Sequence, residues 1–422
     1  MANTDNNPTD QNCDIGQTLL SIDETLKQLL EQAERIAKSA KITALPLNKA
    51  LGRVLATDLS SNIQVPPFDN SAMDGYAVNS SDLLDAHENS LEVSQRIPAG
   101  SIGKPLIKGT AARVFTGAPI PVGADVVVMQ EVCQRDNDTV KIMGSLTAGN
   151  NIRKAGEDIN QGDIILQAGT KVRPQELGLA ASVGISKIPV YEPLKVAIFS
   201  TGDELREPDE PLESGEIYNS NRYTITGLLQ SLGCTIIDLG IIEDSLKATK
   251  SALQKAAEQA DLVITSGGVS VGEEDHIRVA VEALGQLELW RVNIKPGKPL
   301  AFGNIKTAQG DTVFLGMPGN PVSVFATFCI FARPFILKAQ GCNNTEATEF
   351  QLPANFTRSK AGSRNEYLRG RIENGQIELY PQQGSGVLSS TTWANGLVFI
   401  PFDTTVTQGD NVAFIPFSEF GL

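Results

Sequence analysis

Residues 261–275 of this 422-residue chain combine a short apolar run, a glycine-rich loop and three consecutive carboxylates. The run at 262–264 predicts a buried strand of a parallel sheet. Gly267, Gly268 and Gly272 follow, where backbone amides can surround an anion without interference from a Cβ atom. Oxygen ligands such as the carboxylates suit Mg²⁺. The stretch therefore predicts a site for a phosphate-bearing ligand and a divalent cation.

Charged residues also follow the neighbouring predicted strands. Glu204 and Asp244 come after two of them, and Lys295 and Lys298 flank a Pro-Gly turn that would hold them towards a phosphate. Because parallel strands end at one edge of a sheet, we expect these groups to share a ligand-binding crevice. Ordinary interpretations stay open for each residue alone, since an acid at a strand end can cap a helix and exposed lysines are common.

The elements that would position these groups alternate regularly between residues 195 and 340. Such alternation predicts an α/β domain with an open, mostly parallel sheet and right-handed connections. The predicted strands are 196–199, 234–239, 262–264, 287–294, 300–302 and 313–315, and the predicted helices are 223–232, 245–260, 277–284 and 321–339.

The sequence on either side of residues 195–340 shows a different pattern of predicted elements. A capping box at Ser21 and Glu24 predicts the start of an amphipathic helix, and a second helical piece is predicted at 47–55. Short β-rich runs separated by Gly and Pro predict β domains on either side of the α/β domain. The predicted division is a disordered arm at 1–20, a discontinuous helical linker or dimerisation domain at 21–62 plus 164–190, a β-rich inserted domain at 63–163, the α/β domain at 191–342, and a C-terminal β-barrel or sandwich at 346–422.

Composition excludes several classes of function. A net charge of −14 argues against nucleic acid, and it requires a local basic cluster for any anionic ligand. Five scattered cysteines without a CxxC pair fit a reducing, cytoplasmic setting and give no disulfide frame or zinc site. No signal peptide is evident. The apolar stretch 322–337 is interrupted by Arg333 and Pro334, so we predict a buried helix and no membrane partner.

Two other motifs are weaker. Residues 268–272 match the G-x-S-x-G pattern of a serine hydrolase around Ser270, but His276 lies only six residues on, in the following helix. That placement does not fit the usual hydrolase arrangement. A Walker loop is disfavoured because Glu273 stands where lysine is required. Polar loops at 69–78, 115–119 and 153–158 specify no function singly, and each has an ordinary interpretation as a turn.

Taken in their order along the chain, these segments resemble the molybdopterin molybdenumtransferase family, which includes the E domain of gephyrin. The resemblance extends over roughly residues 20–420. The matching segments are 69–78, 116–121, 156–158, 201–205, 266–272 with Asp275, 295–299 and 317–323.

The resemblance implies an elongated four-part subunit that forms a homodimer, with the sheet domain of one subunit facing the inserted β domain of the other. It implies Mg²⁺-dependent transfer of molybdenum from molybdate to adenylylated molybdopterin, with release of AMP. The molybdopterin adenylyltransferase and molybdoenzyme-maturation proteins become candidate partners. A non-catalytic scaffold or receptor-clustering module on the same fold stays open as the alternative, although a scaffold need not keep the charged groups.

The resemblance also assigns roles to residues. Glu204, Asp244 and Asp275 would line the pterin and metal side and hold Mg²⁺, and Asp74 and Thr116, with Asp158 nearby, would reach in from the partner subunit. The residues implied in ligand binding are Gly267, Gly268, Ser270, Gly272, Lys295, Lys298, Pro318, Pro321, Arg369 and Ser385. One position departs from the family, which commonly has paired aspartates where Asp244 is followed here by Ser245.

Overall fold

The computed structural model describes residues 19–83, 90–143, 147–267, 276–297 and 299–422. Its centre is a six-stranded sheet, which we call the central sheet. The first four strands in the order below pair in parallel, and the last two join by antiparallel pairing. The order across the sheet is Thr235–Ile242, Lys195–Thr201, Leu262–Ser266, Gly310–Met317, Pro299–Thr307 and Gly285–Arg291. The predicted α/β fold class, with an open and mostly parallel sheet, is confirmed.

Helices cover both faces of the central sheet because successive strand side chains point to opposite faces. Val196 and Ile198 pack on one face in a core that includes residues of the helix Ser220–Ser231. Ala197 and Phe199 pack on the other face. The helices on that second face are Leu246–Gln259 and His276–Leu284.

The closing helix of this region runs through Pro321–Thr327, a π-helical turn at Phe328–Ala332, and Arg333–Ala339. It is the one helix in the described part of the chain that is long and apolar enough to cross a membrane. Because 89% of its most apolar window is buried inside the fold, it matches the predicted buried helix.

The N-terminal helix Ile22–Ser39 begins at the predicted capping box. Ser21 Oγ accepts a hydrogen bond from the Glu24 amide (3.1 Å), and Glu24 Oε2 accepts one from the Ser21 amide (3.0 Å). Just before it, the Leu20 amide donates to the carbonyl of Arg291 (2.9 Å). Residues 1–18 of the predicted disordered arm lie outside the described residues.

The helix predicted at 47–55 is wrong. Only Leu47–Lys49 forms a short 3₁₀ turn, and Gly52 has a φ of 77°, which ends any helix there. Leu55 instead bridges Val190 and packs in a small core with it. Tertiary pairing therefore outweighs the local helical pattern at this point. The surrounding elements are the strands Ile42–Pro46 and Lys187–Tyr191, which pair antiparallel, and the helix Pro174–Ser182.

Two β-rich regions flank the central sheet. Residues 63–163, which we call the inserted β region, contain a sheet in the order Val126–Met129, Gly75–Val78, Thr110–Val114, Ser90–Ile97, Thr139–Ile142 and Cys133–Asp136.

Two-stranded pairs are formed by Leu59–Ser60 with Ile164–Leu166, Asn70–Ser71 with Ile152–Arg153, and Leu205–Arg206 with Ile217–Tyr218.

Residues 346–422, which we call the C-terminal β region, build their sheet with one strand from outside that range. Ile294–Lys295, which precedes this region by about fifty residues, pairs in parallel with Asn365–Glu373. The remaining strands are Gly396–Ile400, Asn411–Pro416, Phe350–Pro353 and Gln376–Leu379, and a short helix lies at Ser389–Trp393. This pairing brings the C-terminal β region against the central sheet.

Candidate active site

The carboxyl ends of the four parallel strands lie at one edge of the central sheet. Thr201 is in register with Ile242, and Ser266 is in register with both Ser200 and Met317. Among the described residues, the segments that leave this edge carry the predicted site residues Glu204, Asp244, Gly267, Pro318 and Pro321.

A cavity of about 1150 Å³ opens between this edge and the C-terminal β region. The predicted site residues that line it are Glu204, Gly267, Lys295, Pro318, Arg369 and Ser385. An adjoining cavity of about 350 Å³ shares Glu204 and Gly267 with it and is also lined by Pro321. Seven residues predicted from separate parts of the chain therefore meet in one place.

Glu204 follows the strand Lys195–Thr201 on a tight turn. Gly202 in this turn has a φ of 147°, and a Cβ atom there would lie 2.5 Å from Glu204 Oε2. The backbone conformation therefore favours glycine, and a side chain at this position would displace the Glu204 carboxylate.

Arg369 has an unusual environment on the cavity wall. Its side chain is 0% exposed, with Nε donating to Ser390 Oγ (2.9 Å) and Nη2 to the Gly384 carbonyl (3.1 Å). Its Nη1 has no hydrogen-bond partner among the described residues. Burial lowers the pKa of the Arg369 guanidinium to about 10, which still leaves it cationic at neutral pH. A buried cation with a free donor beside a cavity is suited to an anionic ligand.

The loop Pro318–Asn320 and residue Ser385 are fixed by hydrogen bonds that their backbone carbonyls accept. The Val322 amide at the start of the closing helix donates to the Ser385 carbonyl (3.0 Å), and Asn221 Nδ2 donates to the Gly319 carbonyl (2.7 Å). These bonds join the C-terminal β region, the closing helix and the helix Ser220–Ser231 around the cavity.

Asp244 follows the strand Thr235–Ile242 at the same edge of the sheet as Glu204. It is half-buried, and it is not one of the described residues that line either cavity. The next residue, Ser245, caps the helix Leu246–Gln259 by accepting a hydrogen bond from the Ala248 amide (3.3 Å). Serine and aspartate are both good capping residues, so this position can cap the helix with either of them.

Asp74 and Thr116 lie together in the inserted β region. Asp74 Oδ1 accepts hydrogen bonds from both the amide and the hydroxyl of Thr116, each 2.8 Å long. These bonds, with a smaller contribution from Arg113, lower the pKa of the Asp74 carboxyl. Asp158 lies on another loop of the same region, where its amide donates to the Val65 carbonyl (3.0 Å).

None of the described residues of the inserted β region lines the cavity of about 1150 Å³. The other predicted site residues, Gly268, Ser270, Gly272, Asp275 and Lys298, lie outside the residues that the structure describes. Among the described residues, no three His, Cys, Asp or Glu side chains lie together as metal ligands. The described residues therefore do not complete a magnesium site by themselves.

Comparison with known proteins decides the family. Residues 20–184 match the MoeA N-terminal region (domain I and II), residues 197–338 match the probable molybdopterin binding domain, and residues 351–417 match the MoeA C-terminal region (domain IV). The molybdopterin molybdenumtransferase of Haemophilus influenzae is 40% identical over 410 residues, covering 95% of this chain and 99% of the relative. The chain belongs to the MoeA family.

Further MoeA relatives agree in sequence and structure. The molybdopterin molybdenumtransferase of a Nostoc species is 35% identical over 404 residues, covering 93% of this chain and 92% of the relative. The crystal structure of the molybdopterin biosynthesis moeA protein from Pyrococcus horikoshii OT3 superposes with a TM-score of 0.81 at 31% identity, covering 94% of this chain and 100% of that one.

The cavity of about 1150 Å³ is also lined by charged residues that were not predicted from the sequence. Arg358, Arg364 and Glu366 line it from the C-terminal β region. Glu366 is 4% exposed, and its carboxylate pairs with Arg358 and with Lys295 Nζ (3.4 Å). Their sequence context is a run of short strands and turns with no recognisable motif, so only the clustering of basic residues at 358–369 was available as a signal.

Proposed function

We propose that this protein is a molybdopterin molybdenumtransferase that moves molybdenum from molybdate to adenylylated molybdopterin and releases AMP. The observation that carries the proposal is the cationic cavity in an acidic protein. Lys295, Arg358, Arg364 and Arg369 line one cavity of a chain whose net charge is −14. Both substrates are anions, and a local basic cluster is what an acidic chain needs to bind them.

Binding and orientation are the roles that we assign to this chain's own residues. The free Nη1 of Arg369 would donate to an oxyanion oxygen, and Lys295 and Ser385 would add donors from two further directions. Pro318 and Pro321 would form the floor of the two adjoining cavities. Gly267 begins the loop that would lie beside the pterin phosphate. Bringing molybdate and the pterin together in a fixed geometry supplies the rate gain expected from proximity.

Mg²⁺ is part of the proposal through the chemistry of its ligands. Glu204 and Asp244 stand after neighbouring strands at one sheet edge, and with Asp275 they would form an oxygen donor set of the kind that Mg²⁺ prefers. When bound, the ion would offset negative charge on phosphate and molybdate oxygens.

We further propose a homodimer with a composite site, in which Asp74, Thr116 and Asp158 complete the cavity of the partner subunit. The proposal is supported by the hydrogen-bonded Asp74 and Thr116 pair, which lies outside the cavity of its own subunit. As a molybdopterin molybdenumtransferase the protein would act in the cytoplasm and would receive its pterin substrate from the molybdopterin adenylyltransferase. A scaffold would have no need for a buried guanidinium with a free donor, so the transferase is better supported.

The experiment is to incubate the protein with adenylylated molybdopterin and to follow AMP with and without molybdate. AMP release that requires molybdate is expected. Glu204→Gln should reduce the release at least a hundredfold, by analogy with the loss of one preorganised electrostatic group, about 10²-fold. Asp209→Asn, which changes an exposed acid on the following loop, is the matched control and should be unaffected. Normal turnover in Glu204→Gln would contradict the proposed site.

A further inference from the structure

Glu366 is a carboxylate on the wall of a cavity proposed to bind anions. It stands near the start of the strand Asn365–Glu373 and is the register partner of Lys295 in the parallel pair that joins the C-terminal β region to Ile294–Lys295. Its side chain is buried, and it contacts Lys295 on one side and Arg358 on the other. No role proposed above uses it.

The charges of the cavity show why this carboxylate matters. Among the described lining residues, the cations are Lys295, Arg358, Arg364 and Arg369, and the only carboxylates are Glu204 and Glu366. Glu366 therefore supplies half of the negative charge that offsets these four cations. An incoming oxyanion has to compete with it for Lys295 and Arg358.

Two opposite effects of Glu366 on ligand binding have to be weighed. It could help by holding Lys295 in place, but the Lys295 side chain is 59% exposed and an exposed ion pair of 3.4 Å orders a lysine only weakly. It could also oppose binding, because a buried carboxylate repels a dianion in a partly closed cavity where water screens poorly. The second effect dominates, since the first acts on a solvated side chain and the second acts directly on the ligand.

We infer that Glu366 is an internal counter-anion that balances Lys295 and Arg358 in the free protein and limits the affinity of the cavity for oxyanions. This inference rests on the proposed function, because it takes molybdate as the ligand of the cavity. Phosphate and sulfate are tetrahedral anions of similar charge, so Glu366 weakens their binding too. The residue determines how readily the cavity releases one anion for another.

Titration of the full-length protein with molybdate alone, followed by calorimetry, tests the inference. Glu366→Gln keeps the shape and an acceptor for Arg358 but removes the charge. We expect the Kd for molybdate to fall about tenfold, which corresponds to about 1.4 kcal/mol. Phosphate and sulfate should compete more strongly in the same variant. Damage to the fold would weaken binding, so tighter binding cannot come from a structural role.

Two control variants should leave the Kd for molybdate nearly unchanged. Glu373→Gln changes an exposed acid at the far end of the same strand and should leave the Kd unchanged. Glu366→Asp keeps the charge and should stay within about twofold of the wild type.

Two further variants, Arg358→Gln and the double variant with Glu366→Gln, test the inference in addition to the single variant. Arg358→Gln should weaken molybdate binding about tenfold. The double variant Arg358→Gln/Glu366→Gln, whose net charge equals that of the wild type, should bind molybdate more tightly than Arg358→Gln alone. An unchanged or higher Kd in Glu366→Gln, or a double variant that stays weak, overturns the inference. If the wild type itself binds no molybdate, the proposed function fails first and the inference fails with it.

Discussion

The amide and the hydroxyl of Thr116 both donate hydrogen bonds to the same carboxylate oxygen of Asp74. Two loops of the inserted β region are joined by this contact, although Asp74 and Thr116 are 42 residues apart in the sequence. The pair also fixes the protonation of the acid, because hydrogen bonds to a carboxylate favour its charged form.

Replacing Thr116 by valine removes one of the two donors and should raise the pKa of Asp74 towards its ordinary value. A lowered pKa stabilises the folded protein above the pKa of the unfolded chain, and that contribution is lost as pH falls through the folded pKa. Thr116→Val should therefore lose less stability on acidification than the wild type does. NMR titration of the Asp74 carboxyl checks the shift. Thr139→Val is the control, since the Thr139 hydroxyl donates to a backbone carbonyl and to no carboxylate.

Mixing two inactive variants tests the composite site. Asp74→Asn and Glu204→Gln should each be inactive alone, because each damages one side of every site. In a mixed dimer one site carries both changes and the other carries none, so random exchange should restore about a quarter of wild-type turnover. AMP release after subunit exchange, with exchange followed by native mass spectrometry, is the measurement. No recovery after complete exchange would place both residues in a site within one subunit.

Arg369 should couple ligand binding to stability. A ligand that binds only the folded protein stabilises it by about 2.7 kcal/mol at a hundred times its Kd. Molybdate should therefore raise the Tm of the wild type, and Arg369→Met should abolish the rise because the buried free donor is gone. Arg371→Met changes an arginine on the same strand that pairs with Glu373, and it should keep the full response. If molybdate raised the Tm of Arg369→Met as much as that of the wild type, the anion would bind elsewhere.

The proposed role of Asp244 as a Mg²⁺ ligand can be tested through the metal requirement of turnover. Chelation should stop AMP release and added Mg²⁺ should restore it. Asp244→Asn should raise the Mg²⁺ concentration needed for half-maximal turnover about tenfold or more, since it removes one anionic oxygen ligand. Glu243→Gln, at the exposed neighbouring position, is the control and should leave the requirement unchanged. The same Mg²⁺ requirement in both variants would remove Asp244 from the metal site.

Ser245 offers a test of the departure from the family pattern. Ser245→Ala removes the cap of the helix Leu246–Gln259 and should cost about 1 kcal/mol of stability. Ser245→Asp keeps a good capping residue and adds the second acid, so its stability should match the wild type. Urea unfolding of the three proteins measures the difference. Equal stability of Ser245→Ala and the wild type would show that the cap contributes little.

Local patterns predicted much of this fold because they depend on neighbouring residues alone. The capping box at Ser21 and Glu24 marks the start of the first helix, and the apolar run at 262–264 lies within the strand Leu262–Ser266. The shared edge of the sheet followed from the alternation of strands and helices, and Glu204 and Gly267, which follow two strands at that edge, line one cavity. These features rest on periodicity and topology, both of which a sequence displays.

What the sequence did not display depends on distant pairing. The error at 47–55 arose because Leu55 pairs with Val190, far along the chain, and Gly52 adopts a left-handed conformation. Glu366 escaped notice for the same reason. Its partner Lys295 lies 71 positions earlier, and only the pairing of their two strands brings them together. No local motif encodes such a contact.

The short strand Ile294–Lys295 has a consequence for protein engineering. It is an edge strand of the C-terminal sheet, although it lies in the chain ahead of the closing helix. A cut made between residues 340 and 346, where the sequence invites one, would divide that sheet. Chimeras that graft the tail of one relative onto the body of another should therefore carry this strand along or match it residue by residue.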